Sequence, residues 1–209
     1  YEPAAEEEVS SRNSRPLALS LGENDATLYG SWWHALFEYF PWHGGSDARE
    51  QAFRTFHSSS PNPNRSAKEW KLLQKPLRDS ALAKFLAQPG VITQTEFPFL
   101  WRIDERNCLE GVIDLFVFDP TTRGVLLIDW KTNHATSKDA EKLRARYRPQ
   151  LASYWKAVRE ITSCEVEAGL YSTAIGELLT YSTEEMETEW NRLAQLPPEE
   201  LRTGLEDAE

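Results

Sequence analysis

The 209-residue sequence is 40% hydrophobic and 11% aromatic, enough for a packed core, so a wholly disordered chain is excluded. Its apolar runs are short, as at residues 115–118 and 125–128, and none has the length of a transmembrane helix. The formal net charge is −10, but residues 1–10 carry −4 and residues 184–209 carry −7, which leaves the rest at about +1. An acidic whole argues against a free-standing, high-affinity nucleic-acid binder, whereas a near-neutral body with acidic ends does not.

The two ends of the chain differ from its body. Residues 1–24 are polar, acidic and aperiodic, which predicts a tail or linker, and residues 197–209 predict an acidic C-terminal tail. A single domain is expected over residues 25–196. Because Met186 is the only methionine, we expect the chain to be a piece of a longer protein.

The N-terminus and the cysteines bear on the compartment. Glu6, Glu7 and Glu8 are unlike the basic start of a secretory signal. Cys108 and Cys164 could form at most one disulfide, and two thiols cannot hold an iron–sulfur cluster or a Cys-rich zinc site. We therefore expect a reduced, cytoplasmic chain with no membrane partner and no iron–sulfur cluster.

The predicted elements divide into a helical first part and a mixed second part. Helical spacing and start signals predict helices over residues 28–40, 47–56, 67–74 and 79–87. Segments rich in β-branched and aromatic residues predict a three-strand meander over residues 91–102, 108–118 and 125–131. A long helical region over residues 137–161, restarting near Pro149, precedes strands at 165–171 and 177–181 and a last helix at 183–196. This order predicts an α/β or α+β domain.

Two aspartates interrupt strands that are otherwise apolar, Asp114 and Asp129. If residues 119–124 form a hairpin with a four-residue loop, paired residues sum to 243, and Asp114 faces Asp129 with Cβ atoms about 5 Å apart. Two carboxylates at that distance repel each other and the pKa of one rises, unless a cation lies between them. Lys131 projects from the same face of its strand as Asp129.

This arrangement has two interpretations. A divalent cation with oxygen ligands suits the two carboxylates, and the Lys131 ammonium is then free to hold or activate a water molecule. Alternatively, Asp129 and Lys131 form a buried ion pair that only fixes the strand register.

Five ordered motifs resemble the PD-(D/E)XK nuclease core in its RecB-like form, over about residues 27–182. Residues 111–114 match the G-x-x-D strand, and residues 129–132 match the D-[YW]-K-T strand that comes after the hairpin. Ile113 stands where the family's usual proline precedes the first aspartate.

The other three motifs flank these strands. His34, four residues after Gly30, resembles the family's upstream metal-ligand histidine. Glu96 resembles the strand carboxylate that precedes the aspartates, and residues 147–154, with Gln150 and Tyr154, resemble the Y-x-x-Q-L-x-x-Y helix motif.

The resemblance implies a fold and a metal site. The fold is an α/β PD-(D/E)XK core: a mixed central sheet that contains the meander, flanked by helices, with extra helices at the N-terminus. The cofactor is Mg²⁺ or Mn²⁺, held by His34, Asp114, Asp129 and the Trp130 carbonyl. An imidazole ligand would favour Mn²⁺ somewhat.

The resemblance also implies catalytic roles beside the two aspartates. Lys131 would orient the attacking water and stabilise the transition state. Glu96 would be a second-metal or water-orienting carboxylate, or else an ordinary surface acid. Gln150 and Tyr154 share one helix face and could bridge Lys131 and the scissile phosphate; otherwise they are the polar edge of an amphipathic helix.

Two further features allow a binding interpretation and a plain structural one. Gly30 leaves one turn of the helix face below His34 without a side chain, where a metal or a phosphate could approach, although a half-buried histidine among tryptophans is also common. Residues 131–148 carry a local charge of +4, which suits a phosphate backbone or a solvated helix face. Most of the eight tryptophans are expected in the core.

The implied activity is metal-dependent hydrolysis of DNA, with single strands and exonuclease action favoured. Domains of this kind often lie at the C-terminus of superfamily-1 helicase–nucleases of the AddA type, in repair and recombination. This sequence has no G-x-x-x-x-G-K-[ST] motif, so a motor would lie elsewhere in the full-length protein. The alternatives are a degenerate nuclease-fold module that binds DNA or a partner without cutting, a stand-alone exonuclease, and an α/β domain with a structural Asp–Lys pair.

Overall fold

The computed structural model describes residues 25–197, so the predicted tail over 1–24 lies outside the described residues, as does the predicted tail over 197–209 apart from Pro197. Within this range no helix combines the length and the apolar character needed to cross a bilayer. The helices are α1 (Asp25–Glu38), α2 (Ser46–His57), α3 (Pro63–Leu73), α4 (Pro76–Asp79), α5 (Ala81–Leu86), α6 (Ala140–Thr162) and α7 (Thr183–Leu193). The strands are β1 (Ile92–Arg102), β2 (Cys108–Asp119), β3 (Gly124–Lys131), β4 (Glu165–Ser172) and β5 (Glu177–Tyr181).

The five strands form one mixed sheet in the order β1-β2-β3-β4-β5. The first three are an antiparallel meander, β4 runs parallel to β3 after the α6 crossover, and β5 returns antiparallel to β4. The predicted mixed sheet with a meander and flanking helices is therefore confirmed.

The β2–β3 hairpin has the predicted register. Leu115 pairs with Ile128, and Asp119 pairs with Gly124, so each pair sums to 243. The Asp119 carboxylate holds the loop by accepting hydrogen bonds from the Thr121 N–H and the Thr122 hydroxyl, both at 2.8 Å. The loop length thus fixes where the two site aspartates fall.

Two predicted helices differ from the structure. The predicted restart near Pro149 is wrong: α6 runs unbroken through it, because Tyr147 before it and Leu151 after it pack into the same core and hold the helix in line. The predicted helix over residues 79–87 is shorter, α5, and begins after Ser80, whose side chain accepts a hydrogen bond from the Ala83 N–H; the short α4 before it was not predicted.

Each face of the sheet carries its own core. We call the core under α6 and α7 the α6 core; its buried members include Ile113, Val125, Leu127, Tyr147 and Trp155. We call the core under α1–α5 the aromatic core; its buried members include Trp33, Phe37, Trp42, Leu115 and Trp130. Seven of the eight tryptophans are buried, in agreement with their expected role.

Candidate active site

The site lies where the β1–β2 pair is distorted. Thr95 pairs with Leu115 and Phe97 pairs with Ile113, which places Glu96 opposite Asp114. Glu96 has a φ of 48°, in the left-handed region that a non-glycine residue adopts only when its surroundings impose it.

Both strands change faces at this point. In β2, Leu115 belongs to the aromatic core and Ile113 to the α6 core, although residues two apart normally share a face. In β1, the Thr95 hydroxyl donates to the Glu38 carbonyl on the α1 side, whereas Phe97 packs against the α6 core. The distortion frees Glu96 and Asp114 from the ordinary alternation, so that both reach α1.

His34 of α1 completes a three-residue cluster with these carboxylates. Its Nδ1 lies 3.5 Å from Glu96 Oε1 and 3.6 Å from Asp114 Oδ1. One ligand atom of each residue lies within 4.8 Å of the others. His34 and Glu96 are partly exposed and Asp114 is buried, so the cluster is closed by protein on the Asp114 side and open to solvent on the other.

Asp114 links the cluster to the end of β3. Its Oδ2 accepts a hydrogen bond of 2.7 Å from the Trp130 N–H. Burial raises the pKa of Asp114 well above its usual value, and the nearby Asp129 carboxylate raises it further, while the Trp130 hydrogen bond acts in the opposite sense. Asp114 and Asp129 are thus close enough to interact strongly, as the register predicts.

Lys131 and Asp129 form the second part of the site. The Lys131 Nζ lies 3.2 Å from Asp129 Oδ2, and its side chain is mostly buried. Burial by itself would lower the pKa of Lys131, but Asp129 and Asp114 more than offset it, so the pKa is raised. Nζ also lies 4.7 Å from the centre of the Tyr147 ring, which helps to hold the ammonium in position.

Gln150 and Tyr154 lie together on α6, as their spacing predicts. The Gln150 Nε2 donates to the Tyr154 hydroxyl at 3.2 Å, and both side chains are buried. Burial raises the pKa of Tyr154, and the Asp129 and Asp114 carboxylates raise it further. Gln150 Oε1 has no hydrogen-bond partner among the described residues, although it is buried. A buried amide oxygen of this kind is available to a ligand.

Close packing explains the glycine at the start of the G-x-x-D motif, Gly111. A Cβ at this position would lie 2.8 Å from Cε1 of Phe99 and 3.0 Å from Cε1 of Tyr154. The missing side chain therefore lets the Tyr154 ring lie directly on β2.

An open cleft of about 750 Å³ runs beside the cluster. One wall is a face of α1, the other is the end of β3 with the segment after it, and its lining residues include Gly30, His34, Arg65, Glu96, Lys131 and His134. Gly30 lines this cleft, and the approach of a metal or phosphate there stays a prediction. A Cβ at Gly30 would lie 3.3 Å from the Thr132 hydroxyl, so the glycine also allows α1 to approach the chain after β3.

The structure thus brings the predicted site residues together, but the members of the three-residue cluster differ from the predicted metal ligands. Glu96 lies in the three-residue cluster, whereas Asp129 is paired with Lys131 beside it. The Trp130 indole is buried in the aromatic core, and the role of its carbonyl as a metal ligand stays a prediction.

The basic stretch divides between the site and the fold. Lys131 belongs to the site, but Arg144 lies 2.8 Å from Glu185 of α7 and joins two helices. Sequence reasoning missed Arg65 and His134, which line the cleft; the i,i+4 spacing of Arg65 and Glu69 indicates a helical ion pair but not a neighbouring cleft.

Comparison with known proteins adds a family and a fold. A family model described as the PD-(D/E)XK nuclease superfamily matches residues 13–208. The chain is 34% identical over 74 residues to an ATP-dependent helicase/nuclease subunit of Thermoanaerobacter sp. (strain X514), a match that covers 35% of this chain and 6% of that protein. The protein of the same name from Acetivibrio thermocellus is 32% identical over 63 residues, 30% of this chain and 5% of that protein.

A solved structure shares the fold. The crystal structure described as "Putative exonuclease" from Eubacterium rectale superposes with a TM-score of 0.54 at 15% identity, over 90% of this chain and 70% of that one.

Proposed function

This chain belongs to the PD-(D/E)XK nuclease superfamily, and from that premise we propose that it is a metal-dependent deoxyribonuclease. It uses Mg²⁺ or Mn²⁺ and acts as an exonuclease, with single-stranded DNA as the favoured substrate. The observation that carries the proposal is the cluster of His34, Glu96 and Asp114 beside the Lys131–Asp129 pair, at the edge of an open cleft.

The residues of the cluster fit a divalent ion. One imidazole nitrogen and two carboxylate oxygens converge within 4.8 Å, a donor set that suits Mn²⁺ and Mg²⁺. The raised pKa of the buried Asp114 marks a carboxylate whose charge the protein alone does not compensate. We propose His34, Asp114 and Glu96 as ligands, with Asp129 and the Trp130 carbonyl completing the set. When bound, the ion would supply a Lewis acid for the phosphate oxygens and a water of lowered pKa.

Lys131 acts through its charge. In the metal-free site the Asp129 and Asp114 carboxylates raise the pKa of Lys131, which favours the ammonium form over a general base. It instead donates hydrogen bonds to the attacking water and to the phosphate oxygen on which negative charge develops. Asp129, 3.2 Å away, orients the ammonium. The Gln150 Oε1 is an acceptor available to the same water, and Tyr154 holds the Gln150 amide by accepting from its Nε2.

The test is cleavage of end-labelled single- and double-stranded DNA with Mg²⁺ or Mn²⁺. Asp129→Ala and Lys131→Ala should each lower kcat/KM by about 100-fold or more, because each removes an interaction with the reacting groups. Asp104→Ala and Lys156→Ala are matched controls outside the cleft and should cleave like the unchanged protein. Circular dichroism and thermal melting should establish that all four variants are folded.

Two outcomes would contradict the assignment. Cleavage that survives Asp129→Ala would remove the proposed site. An unchanged protein that binds DNA but neither cleaves it nor gains thermal stability from Mn²⁺ would be the degenerate binding module instead.

We further propose that the domain is attached to a superfamily-1 helicase motor in its full-length protein, in the cytoplasm, and serves DNA repair or recombination. The support is the likeness to helicase/nuclease subunits, of whose length the matched segments are 5–6%. Sequencing the parent reading frame tests this proposal. A frame without a motor would favour the stand-alone exonuclease.

A further inference from the structure

We propose that Arg65 and His134 form a binding site for a non-scissile phosphate of the DNA strand, in the same cleft as the metal cluster. This inference rests on the proposed function, since it concerns how the substrate strand is held. Nothing in the family motifs of the sequence includes either residue.

Arg65 is fixed in place from several directions. Its backbone N–H is bound by the Asn62 side chain that caps α3, and its Nε lies 2.6 Å from Oε1 of the buried Glu69. The guanidinium lies 4.1 Å from the centre of the Tyr29 ring, and the Tyr29 hydroxyl donates to Glu69 Oε2 at 2.9 Å. A guanidinium held in this way loses little conformational entropy when it binds a ligand.

The remaining contacts of Arg65 join it to the segment after β3. Its NH2 group donates to the Thr132 carbonyl at 2.5 Å, and its NH1 group lies 3.2 Å from Nε2 of His134. Because arginine is always a donor, His134 Nε2 accepts and Nδ1 carries the ring hydrogen. Three of the five guanidinium N–H groups are used in these contacts, which leaves two N–H groups of Arg65 and the Nδ1–H of His134 for an anion.

The charge of the cleft favours this role. Among its lining residues, Arg65 and Lys131 are the arginine and the lysine, and Glu38 and Glu96 are the acids. Lys131 is paired with Asp129 and serves the scissile phosphate, whereas Glu38 and Glu96 repel any phosphate that has no cation beside it. Arg65 is paired with Glu69 through its Nε, so it offers a second phosphate the two remaining N–H donors of its guanidinium rather than an uncompensated charge.

The position of Arg65 matches the spacing of a nucleic-acid strand. Its guanidinium lies on Tyr29, five residues before His34 on α1, which is about 7.5 Å along the helix axis. A stacked DNA strand advances about 3.4 Å per nucleotide. A strand that runs along α1 would therefore have its second phosphate about two nucleotides from the scissile bond.

Binding of a fluorescent single-stranded oligonucleotide tests this site. Measurements use Asp129→Asn protein with Mn²⁺, so that the strand is not cut. Arg65→Gln should weaken binding about 10- to 100-fold, as expected for a lost charge-assisted contact, and should lower the salt slope by about 0.7. His134→Ala should weaken binding about two- to tenfold; this residue is exposed, so the variant is informative even if Arg65→Gln unfolds. Arg54→Gln is the matched control, an exposed arginine of α2 whose loss should change affinity less than about twofold.

A second measurement separates a phosphate contact from a general effect. Phosphates of the oligonucleotide are replaced one at a time by neutral methylphosphonates, and the scissile bond is located from the products of the unchanged protein. One neutral position, one to three nucleotides from the scissile bond, should weaken binding to the Asp129→Asn protein and have no further effect after Arg65→Gln.

The results that overturn the inference differ from those that overturn the function. Suppose that the unchanged protein cleaves DNA, but that Arg65→Gln and His134→Ala, each folded and combined with Asp129→Asn, bind as tightly as Asp129→Asn alone and give the same methylphosphonate profile. Arg65 then only holds α3 to the chain after β3. If the unchanged protein neither binds nor cleaves DNA, the proposed function and this inference both fail.

Discussion

Asp114 is the side chain whose environment suits its own charge least. It is buried, the neighbouring Asp129 raises its pKa further, and its main compensation is the hydrogen bond from the Trp130 N–H. Without a cation the ionised carboxylate costs folding free energy, because the folded state holds its proton more tightly than the unfolded chain does. The site thus gives up stability in the metal-free protein, which the proposed cation would restore.

Asp114→Asn should stabilise the metal-free protein and abolish cleavage. The raised pKa of Asp114 means that its contribution to stability is fully present below about pH 3.9, the unfolded value, and is lost as the pH rises through the folded pKa. Asparagine keeps an oxygen for the Trp130 N–H but does not titrate. In EDTA, the free energy of unfolding of Asp114→Asn should therefore exceed that of the unchanged protein by an amount that grows with pH, to about 1–3 kcal/mol near pH 8. Urea unfolding measures this difference.

The control for this prediction has the opposite sign. Hydrogen bonds from Asn107 and from the Arg106 N–H lower the pKa of the exposed Asp104, so Asp104→Asn should lose stability relative to the unchanged protein as the pH rises. Saturating Mn²⁺ should reverse the order at Asp114, since the carboxylate then has its cation. A difference between Asp114→Asn and the unchanged protein that is constant with pH would contradict the argument.

For single residues, the sequence predicts those side-chain contacts that strand pairing determines. A hairpin loop of fixed length sets the register, so the neighbourhood of Asp114, Asp129 and Lys131 could be predicted. The left-handed backbone at Glu96 could not be predicted, because no local residue pattern indicates a positive φ at a glutamate. The position of Arg65 beside the site could not be predicted either, because it depends on contacts between α3 and the chain after β3 that are distant in sequence.

Among the elements, β1, β2 and α6 pack closely together at Gly111. An added Cβ would lie 2.8 Å from the Phe99 ring and 3.0 Å from the Tyr154 ring, so one or both must move. Gly111→Ala should therefore lower the free energy of unfolding by about 1–3 kcal/mol. It should also lower kcat more than it raises KM, because Tyr154 holds the Gln150 amide.

Chemical unfolding and steady-state cleavage on the same samples check this prediction. Gly45→Ala is the matched control for the added methyl group, since a Cβ there meets no atom within 4 Å; it should leave kcat unchanged and, as the N-cap residue of α2, should cost less stability than Gly111→Ala. A Gly111→Ala protein with full stability and full kcat would mean that the two rings move aside at no cost.

Element boundaries were predictable where local signals and packing agree. The strands of the meander fall close to their predicted limits, because alternation and turn residues indicate the same ends. At Pro149 the two signals conflict. Proline removes one helical hydrogen bond, which favours a new start, but the buried face from Leu143 to Val158 keeps α6 continuous. Tertiary packing decides whether a helix continues through a proline, and that packing cannot be predicted from the local pattern of a single sequence.

At the scale of the whole molecule, β3 couples the site to the aromatic core. Asp129 and Lys131 face the site, while Trp130 between them packs on Trp42 at 5.5 Å and on Phe37 at 4.6 Å between ring centres. The alternation of one strand thus joins the two proposed catalytic groups on one face to a stack of rings on the other. The periodicity of β3 predicts this division, but the partner rings come from α1 and the chain after it, a pairing that no local pattern indicates.

Trp130→Ala should therefore destabilise the fold by about 3–5 kcal/mol and remove activity only by unfolding the protein. Trp101→Ala, which truncates a partly buried tryptophan against Trp190, should cost less than half as much in the same thermal and urea transitions. Trp130→Phe keeps an aromatic ring and the backbone carbonyl, so at temperatures where it is folded it should retain kcat and Mn²⁺ affinity. If folded Trp130→Phe protein were as inactive as Asp129→Ala, the indole itself would belong to the active site, and the separation of the two faces of β3 would be wrong.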